Sequence, residues 1–227
     1  MPHLDFLSDK IRNVWDALGR TGDQYVLIGG TALAYRLGHR VSVDIDLCTS
    51  RPAEHPNVLR KKWNSPAIGK HKWLRRRPDH YIKFFETGSA PKIDVHGKVP
   101  GGCLELPQTA PNGLRIASVT DILKQKLIAM CDRDQPRDGE DVAAILASGL
   151  ANVEQAVAAL RDESRMLGVG GREAESLGER LTDVRHTPWS PFSGLEALAP
   201  ILLAAPGEQP ELACERIEGP AEVPSLA

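Results

Sequence analysis

Cysteine is sparse and never stands at metal-binding spacing: Cys48, Cys103, Cys131 and Cys214 are scattered over 227 residues. Without a C-x-x-C pair, neither a zinc site nor a disulfide framework is expected, and free thiols in a reducing cytoplasm are the default. No apolar run reaches the ~18 residues of a membrane helix. The N-terminus also lacks the charged-then-apolar order of a secretory signal, so no membrane partner is expected. There is no internal repeat, and neither sign of charge dominates, the net charge being −2. That excludes a polycation that coats nucleic acid with its whole surface; such a partner has to be met by a local patch. What is present is ordinary for a globular chain, 41% hydrophobic and 26% charged residues. It suffices for one sizeable core, or one core with a small helical appendage.

The most informative stretch is Tyr25 to Leu47, YVLIGGTALAYRLGHRVSVDIDL. It reads as strand, Gly-Gly turn, helix, short link and strand. Asp44 and Asp46 alternate with Val43, Ile45 and Leu47. The side-chain period of two sends both acids to one face and the three aliphatics to the other, toward a core. Two carboxylates side by side repel each other, and a hard divalent ion such as Mg²⁺ offsets that repulsion. Gly29, Gly30 and Thr31 open the helix, and free N–H groups at such a terminus suit a phosphate. Taken singly, a Gly-Gly pair is a turn and D-x-D is a solvated strand edge. Together at this spacing they point to a nucleoside triphosphate site.

Residues 4–20 place Leu4, Leu7, Ile11, Val14, Trp15 and Leu18 on one helical stripe. Residues 55–78 hold Arg60, Lys61, Lys62, Lys70, Lys72, Arg75, Arg76 and Arg77, eight of the 28 basic residues, and no acid. Such a run is either a solvated face or, with Trp63, His71 and Trp73 interleaved as stacking platforms, an RNA contact surface. Segments 81–87 and 92–95 read as paired strands around Gly88-Ser89. In the second, Lys92, Asp94 and His96 face away from Ile93 and Val95. Strands disfavour Asp, so Asp94 is either a strand-end acid or a functional group.

A Gly- and Pro-rich loop follows over 97–114, and then Ser118 and Asp121 mark the start of a helix reaching about Arg133. Its apolar arc, Ile122, Leu123, Leu127, Ala129 and Met130, includes Lys126, while Lys124 is expected in solvent. An inward lysine either meets an anion, phosphate being an attractive one, or snorkels past the core edge. The next helix starts near Arg137-Asp138 and stops at Gly149. Helical segments continue to about 186, and from Pro188 onward seven prolines and six Glu read as an acidic tail with room for one short helix at 195–205. The expected organisation is a core at 1–116, a helical lobe completing the site at 117–187, and a tail at 188–227.

The motif G-G-T-A-L followed by H-R-x-S-x-D-I-D-L is carried by Gly29, Gly30, Thr31, Leu33, His39, Arg40, Ser42, Asp44, Asp46 and Leu47. It resembles the signature of the AbiEii/AbiGii/MenT group of nucleotidyltransferase-like toxins, within the DNA polymerase β-like nucleotidyltransferase superfamily. A second block, Lys126, Leu127, Ala129, Arg133, Arg137, Asp138 and Asp141, is similar to that family's K-L-x-A and R-D-x-x-D pattern in the same order. The resemblance spans roughly residues 25–148.

The resemblance implies an α/β fold, a small mixed β-sheet nucleotidyltransferase core backed by helices with a helical C-terminal lobe. It implies Mg²⁺ held by Asp44, Asp46 and Asp94, with Asp94 also accepting a proton from the attacking hydroxyl. Gly29, Gly30, Thr31, Arg40 and Ser42 then hold the triphosphate, Lys126 faces it from the lobe, and Asp138 orients Lys126 or the acceptor. Arg137-Asp138 has a structural alternative, since an acid in a first helical turn is stabilised by the dipole. The MenT branch further implies an RNA acceptor, the tRNA 3′ end, a block of translation, residues 60–77 as landing surface and a cognate antitoxin. In that branch Ser42 also corresponds to a phosphorylation target that would switch the site off. Two rival readings are the same transfer onto a small molecule or protein, and a non-catalytic module that only holds nucleotide or a partner.

Overall fold

The computed structural model describes residues 3–69, 71–76, 81–97, 103–166 and 172–204. Lys70 and Arg77 of the basic run, and residues 205–227 of the expected tail, lie outside them.

The N-terminal stripe does not form one helix. Residues 4–6 make a 3-10 turn, α1 is Asp9–Arg12, α2 is Trp15–Leu18, and a further 3-10 turn covers 19–24. The reason is a backbone pairing made at a distance: Ser42 N–H donates to the Phe6 carbonyl and Ser8 N–H to the Ser42 carbonyl, both at 3.0 Å. That pairing holds Leu7 extended where a helix would have to run. Ile11, Val14, Trp15 and Leu18 are buried as expected, but Leu4 is exposed.

Strand β1 (Val26–Ile28) runs directly into α3 (Gly29–Leu37), which ends at Gly38 in the left-handed region, φ 61°. Strand β2 (Ile45–Thr49) returns antiparallel to β1. Next come α4 (Pro56–Trp63), α5 (Pro66–Gly69), β3 (Trp73–Arg76), β4 (Tyr81–Phe84) and β5 (Ile93–Gly97). The expected pairing of the last two strands is present, antiparallel, with Thr87 N–H donating to Ala90 across the turn. Two short strands, β6 (Gln108–Thr109) and β7 (Arg115–Ile116), close the series. The resulting seven-stranded mixed sheet has the order β3-β4-β5-β2-β1-β7-β6. Strand β5 lies parallel to β2 with Asp94 directly opposite Asp46. The sheet therefore puts acids from two non-consecutive strands side by side at its centre.

The helical lobe consists of α6 (Val119–Asp132), α7 (Pro136–Ser148), α8 (Val153–Met166), α9 (Arg172–Thr182) and α10 (Ala199–Leu203). Ser118 caps α6 as expected, its hydroxyl accepting from Asp121 N–H at 2.9 Å. The Asp121 carboxylate, in turn, takes the N–H groups of Leu104 and Glu105 and so ties the preceding loop to α6. That side of α6 is thus covered, and Lys124, expected in solvent, is only 3% exposed.

The boundary expected at 188 is also displaced. Trp189, Leu195, Leu198, Ile201 and Leu202 are buried in the core, and the Trp189 indole N–H donates to the Gln135 carbonyl. Arg161 holds the carbonyls of Ile201, Leu202 and Ala204. Proline count is a poor guide here, because the apolar residues between the prolines find a surface that only the folded lobe provides.

Candidate active site

A cleft of about 440 Å³ opens where the sheet's acidic face meets α6 and α7. It is lined by Gly29, Gly30 and Thr31, by Arg40 and Ser42, by Asp44, Asp46 and Asp94, and by Lys126. Every metal and nucleotide residue expected from the sequence is in this wall, and Asp138 sits just behind it. Lys92, His96, Gln125, Arg133 and Arg137 also line it.

The acids owe their places to the ladder. Asp46 and Asp94 are direct cross-strand partners, an arrangement in which like charges destabilise the sheet. Lys92 answers that repulsion. Lys92 Nζ lies 3.2 Å from Asp44 Oδ2 and 3.3 Å from Asp94 Oδ2, and His96 stands 3.8 Å from Asp46 Oδ1. Burial works against the charge on Lys92, but Asp94 and Asp44 outweigh it and hold its pKa above the usual lysine value. The other Asp94 oxygen accepts from the Tyr81 hydroxyl at 3.0 Å. Burial, and then that bond, push the Tyr81 phenol up to about 12. Val43, expected to face the core, is 58% exposed at the cleft; it precedes the first paired residue of β2, so the strand alternation does not reach it.

These carboxylates suit a hard divalent ion, since two of them already converge on a single cationic nitrogen. Among the described residues, however, no three His, Cys, Asp or Glu groups are closed around one point. The place between Asp44 and Asp94 is taken by the Lys92 ammonium, and a metal ion held there requires Lys92 to move.

The glycine turn is needed sterically. Gly29 has φ 68°, and a Cβ on it would meet Asp46 Oδ2 at 3.0 Å. A Cβ on Gly30 would sit 2.8 Å from the Arg40 guanidinium. The turn thus brings bare backbone against both the acidic face and a cation, and the first N–H groups of α3 have no partners within the helix. Thr31 and Ser42 bond to each other through their hydroxyls at 2.7 Å, and Thr31 also donates to the Asp44 carbonyl. Ser42 is 5% exposed. Both hydroxyls brace the link to β2 as well as bordering the cleft.

The cationic wall is held by two buried acids of α7. Asp141 accepts from His39 Nε2 at 2.7 Å and takes Arg40 through both its oxygens, at 2.7 and 2.9 Å. Lys126 Nζ bridges Asp141 at 2.6 Å and Asp138 at 2.9 Å. Arg133 pairs with Asp138 at 2.9 Å. Burial opposes the charge on Asp141, but His39, Arg40 and Lys126 outweigh it and hold its carboxyl well below the usual range. Asp138 is lowered in the same way, with Arg133 and Lys126 overcoming its burial. Asp138 is thus in direct contact with Lys126, the residue it is expected to orient. From the sequence, Asp141 and His39 are motif positions without a role. The spacing of the acids carries the missing signal, since Asp138 and Asp141 at i and i+3 share one helix face.

The basic run is divided. Arg60 donates to the Gly69 carbonyl and Lys62 pairs with Glu54, while Lys61 and Lys72 are exposed. Trp63 is fully buried against Phe84 and His71 is 3% exposed, so neither is the stacking platform expected. The edge strand β3 brings Arg75 and Arg76 opposite Ile82 and Tyr81, two strands from Asp94.

The stretch that carries the glycine turn and two of the cleft's acids is similar to a nucleotidyltransferase family. The family model described as "Nucleotidyl transferase AbiEii toxin, Type IV TA system" matches residues 16–71, which include the glycine turn, Arg40, Ser42, Asp44 and Asp46. The resemblance carried by the first motif is thereby borne out; the second block, from Lys126 to Asp141, lies outside the matched residues. Among solved structures, the antibiotic-resistance factor ANT(2'')-Ia shares the fold at a TM-score of 0.50 and 19% identity, over 74% of this chain and 96% of that one. A candidate nucleotidyltransferase from H. pylori aligns at TM-score 0.45 and 19% identity, over 88% of this chain and 91% of its own. JHP933 from Helicobacter pylori aligns at 0.46 and 20%, over 86% and 87%. No curated protein matches the sequence.

Proposed function

We propose that this chain is the toxin of a toxin–antitoxin pair and acts in the cytoplasm as a Mg²⁺-dependent nucleotidyltransferase. It transfers a nucleoside monophosphate from a triphosphate to an RNA hydroxyl, at the tRNA 3′ end, and so blocks translation. One observation carries the reading: a glycine turn, three carboxylates, Arg40 and Lys126 line a single cleft. The family's description as a toxin–antitoxin system supports a cognate antitoxin. Among the described residues no helix is long and apolar enough to cross a membrane.

Asp44, Asp46 and Asp94 would hold Mg²⁺, which would supply Lewis-acid stabilisation of charge on the α-phosphate and the leaving pyrophosphate. Gly29, Gly30 and Thr31 offer backbone N–H groups to the triphosphate, beside Ser42. Arg40 and Lys126 add positive charge, kept in place by Asp141 and Asp138. Asp94 takes the proton of the acceptor hydroxyl as its oxygen bonds to the α-phosphorus. The bond from that phosphorus to the bridging oxygen breaks, and pyrophosphate leaves in line. The basic run, through Arg60, Lys61, Lys62, Lys70, Lys72, Arg75, Arg76 and Arg77, offers the RNA its landing surface. Phosphate on Ser42 would crowd Asp44 and repel the incoming triphosphate.

The protein is incubated with each labelled nucleoside triphosphate, Mg²⁺ and total RNA. Label is expected in the tRNA fraction, and its incorporation is expected to vanish in Asp44→Ala. Label that enters only protein would remove the RNA acceptor while keeping the enzyme class.

A further inference from the structure

The cleft contains a cation that the proposed chemistry does not use. Lys92 is the residue just before β5, and its carbonyl accepts from Ile45 N–H at 2.9 Å, which fixes its backbone beside the start of β2. From there its ammonium bridges Asp44 and Asp94, across the space where a metal held by both would lie. The side chain is 29% exposed, so it has a way out to solvent that a buried lysine lacks. The charges it answers are crowded, because Asp46 faces Asp94 in the ladder and only one Asp94 oxygen is taken by Tyr81.

We propose that Lys92 is a resident counter-cation of this carboxylate cluster, which a divalent ion must displace to bind. Lys92 is then a positioning residue. It holds Asp44 and Asp94 together while the site is metal-free, and it sets the metal concentration at which the site fills. This rests on the reading that Asp44, Asp46 and Asp94 bind metal. Displacement has a definite thermodynamic consequence: every interaction Lys92 makes with the two acids is subtracted from the metal's affinity.

The test is metal binding by the full chain without nucleotide. Mn²⁺ titration followed by electron paramagnetic resonance compares wild type with Lys92→Gln and Lys83→Gln. Lys83 is the cross-strand partner of Asp94 and its ammonium lies over the Phe85 ring, so it controls for loss of a nearby charge. Lys92→Gln is expected to tighten Mn²⁺ binding roughly threefold to thirtyfold, the equivalent of one or two partly exposed ion pairs. Lys83→Gln is expected to change it much less. In thermal unfolding, Lys92→Gln is expected to melt lower than wild type without metal and to gain more from added Mn²⁺. Equal tightening by both variants, or unchanged or weaker binding in Lys92→Gln, would overturn the role of Lys92 and leave the metal site standing. Absence of Mn²⁺ binding in all three proteins would overturn both.

Discussion

Arg40, Lys126 and the His39 ring converge on Asp141, and none of them could be held at the cleft so firmly without it. Removing one partner of a buried charge pair leaves the others uncompensated, at a cost of about 3–5 kcal/mol. Asp141→Asn is therefore expected to destabilise the fold by that order in chemical denaturation. It should also loosen Arg40 and Lys126 together, raising KM for the triphosphate. The same carboxylate makes stability pH-dependent. Its folded pKa is depressed, so as the pH falls the unfolded chain protonates it first, near pH 4. The stability it contributes is whole above that pH and is lost as the pH drops further, through the folded pKa. Asp138 acts in the same sense. Wild type is expected to lose stability below about pH 4 more steeply than Asp141→Asn, as acid titration by circular dichroism would show.

At the level of elements, α4 separates two roles that its sequence mixes. Leu59 and Trp63 are fully buried, while Lys61 between them is exposed and Lys62 is engaged by Glu54. The aromatic expected to stack on bases is a core residue, and Trp63→Ala is expected to cost about 3–5 kcal/mol of stability. The exposed cations behave differently. Lys61→Gln with Lys72→Gln is expected to leave stability unchanged and to weaken RNA binding without regard to sequence. The salt dependence of the affinity should flatten by about one unit of slope for each phosphate that is no longer neutralised, measurable by fluorescence anisotropy at several salt concentrations.

Across the whole molecule, the cleft lies where sheet and lobe meet: the sheet side supplies the acids, and the lobe supplies Lys126, backed by Asp138 and Asp141. Packing far from the chemistry consequently bears on the site. Trp189 is fully buried, carries Arg180 over its ring at 4.4 Å, and packs on Gly139, between Asp138 and Asp141. Trp189→Ala is expected to lose about 3–5 kcal/mol, read as a lower melting temperature, with nucleotide affinity falling alongside it.

Local sequence determined the parts whose physics is local. The Gly29-Gly30 turn, the alternation at Ile45 to Leu47 and at Ile93 to Val95, the Ser118 cap and the inward Lys126 are set by periods and dihedrals that a short segment settles for itself. What tertiary structure alone decided are the meetings between segments. The pairing of Ser42 with Phe6 and Ser8 broke the N-terminal stripe. The β2–β5 register set Asp46 against Asp94, and with it created the need that Lys92 fills. Folding of the lobe gave 189–203 an apolar surface, turning an expected tail into core. Each depends on a contact free energy between residues distant in the chain, which neither propensity nor spacing contains.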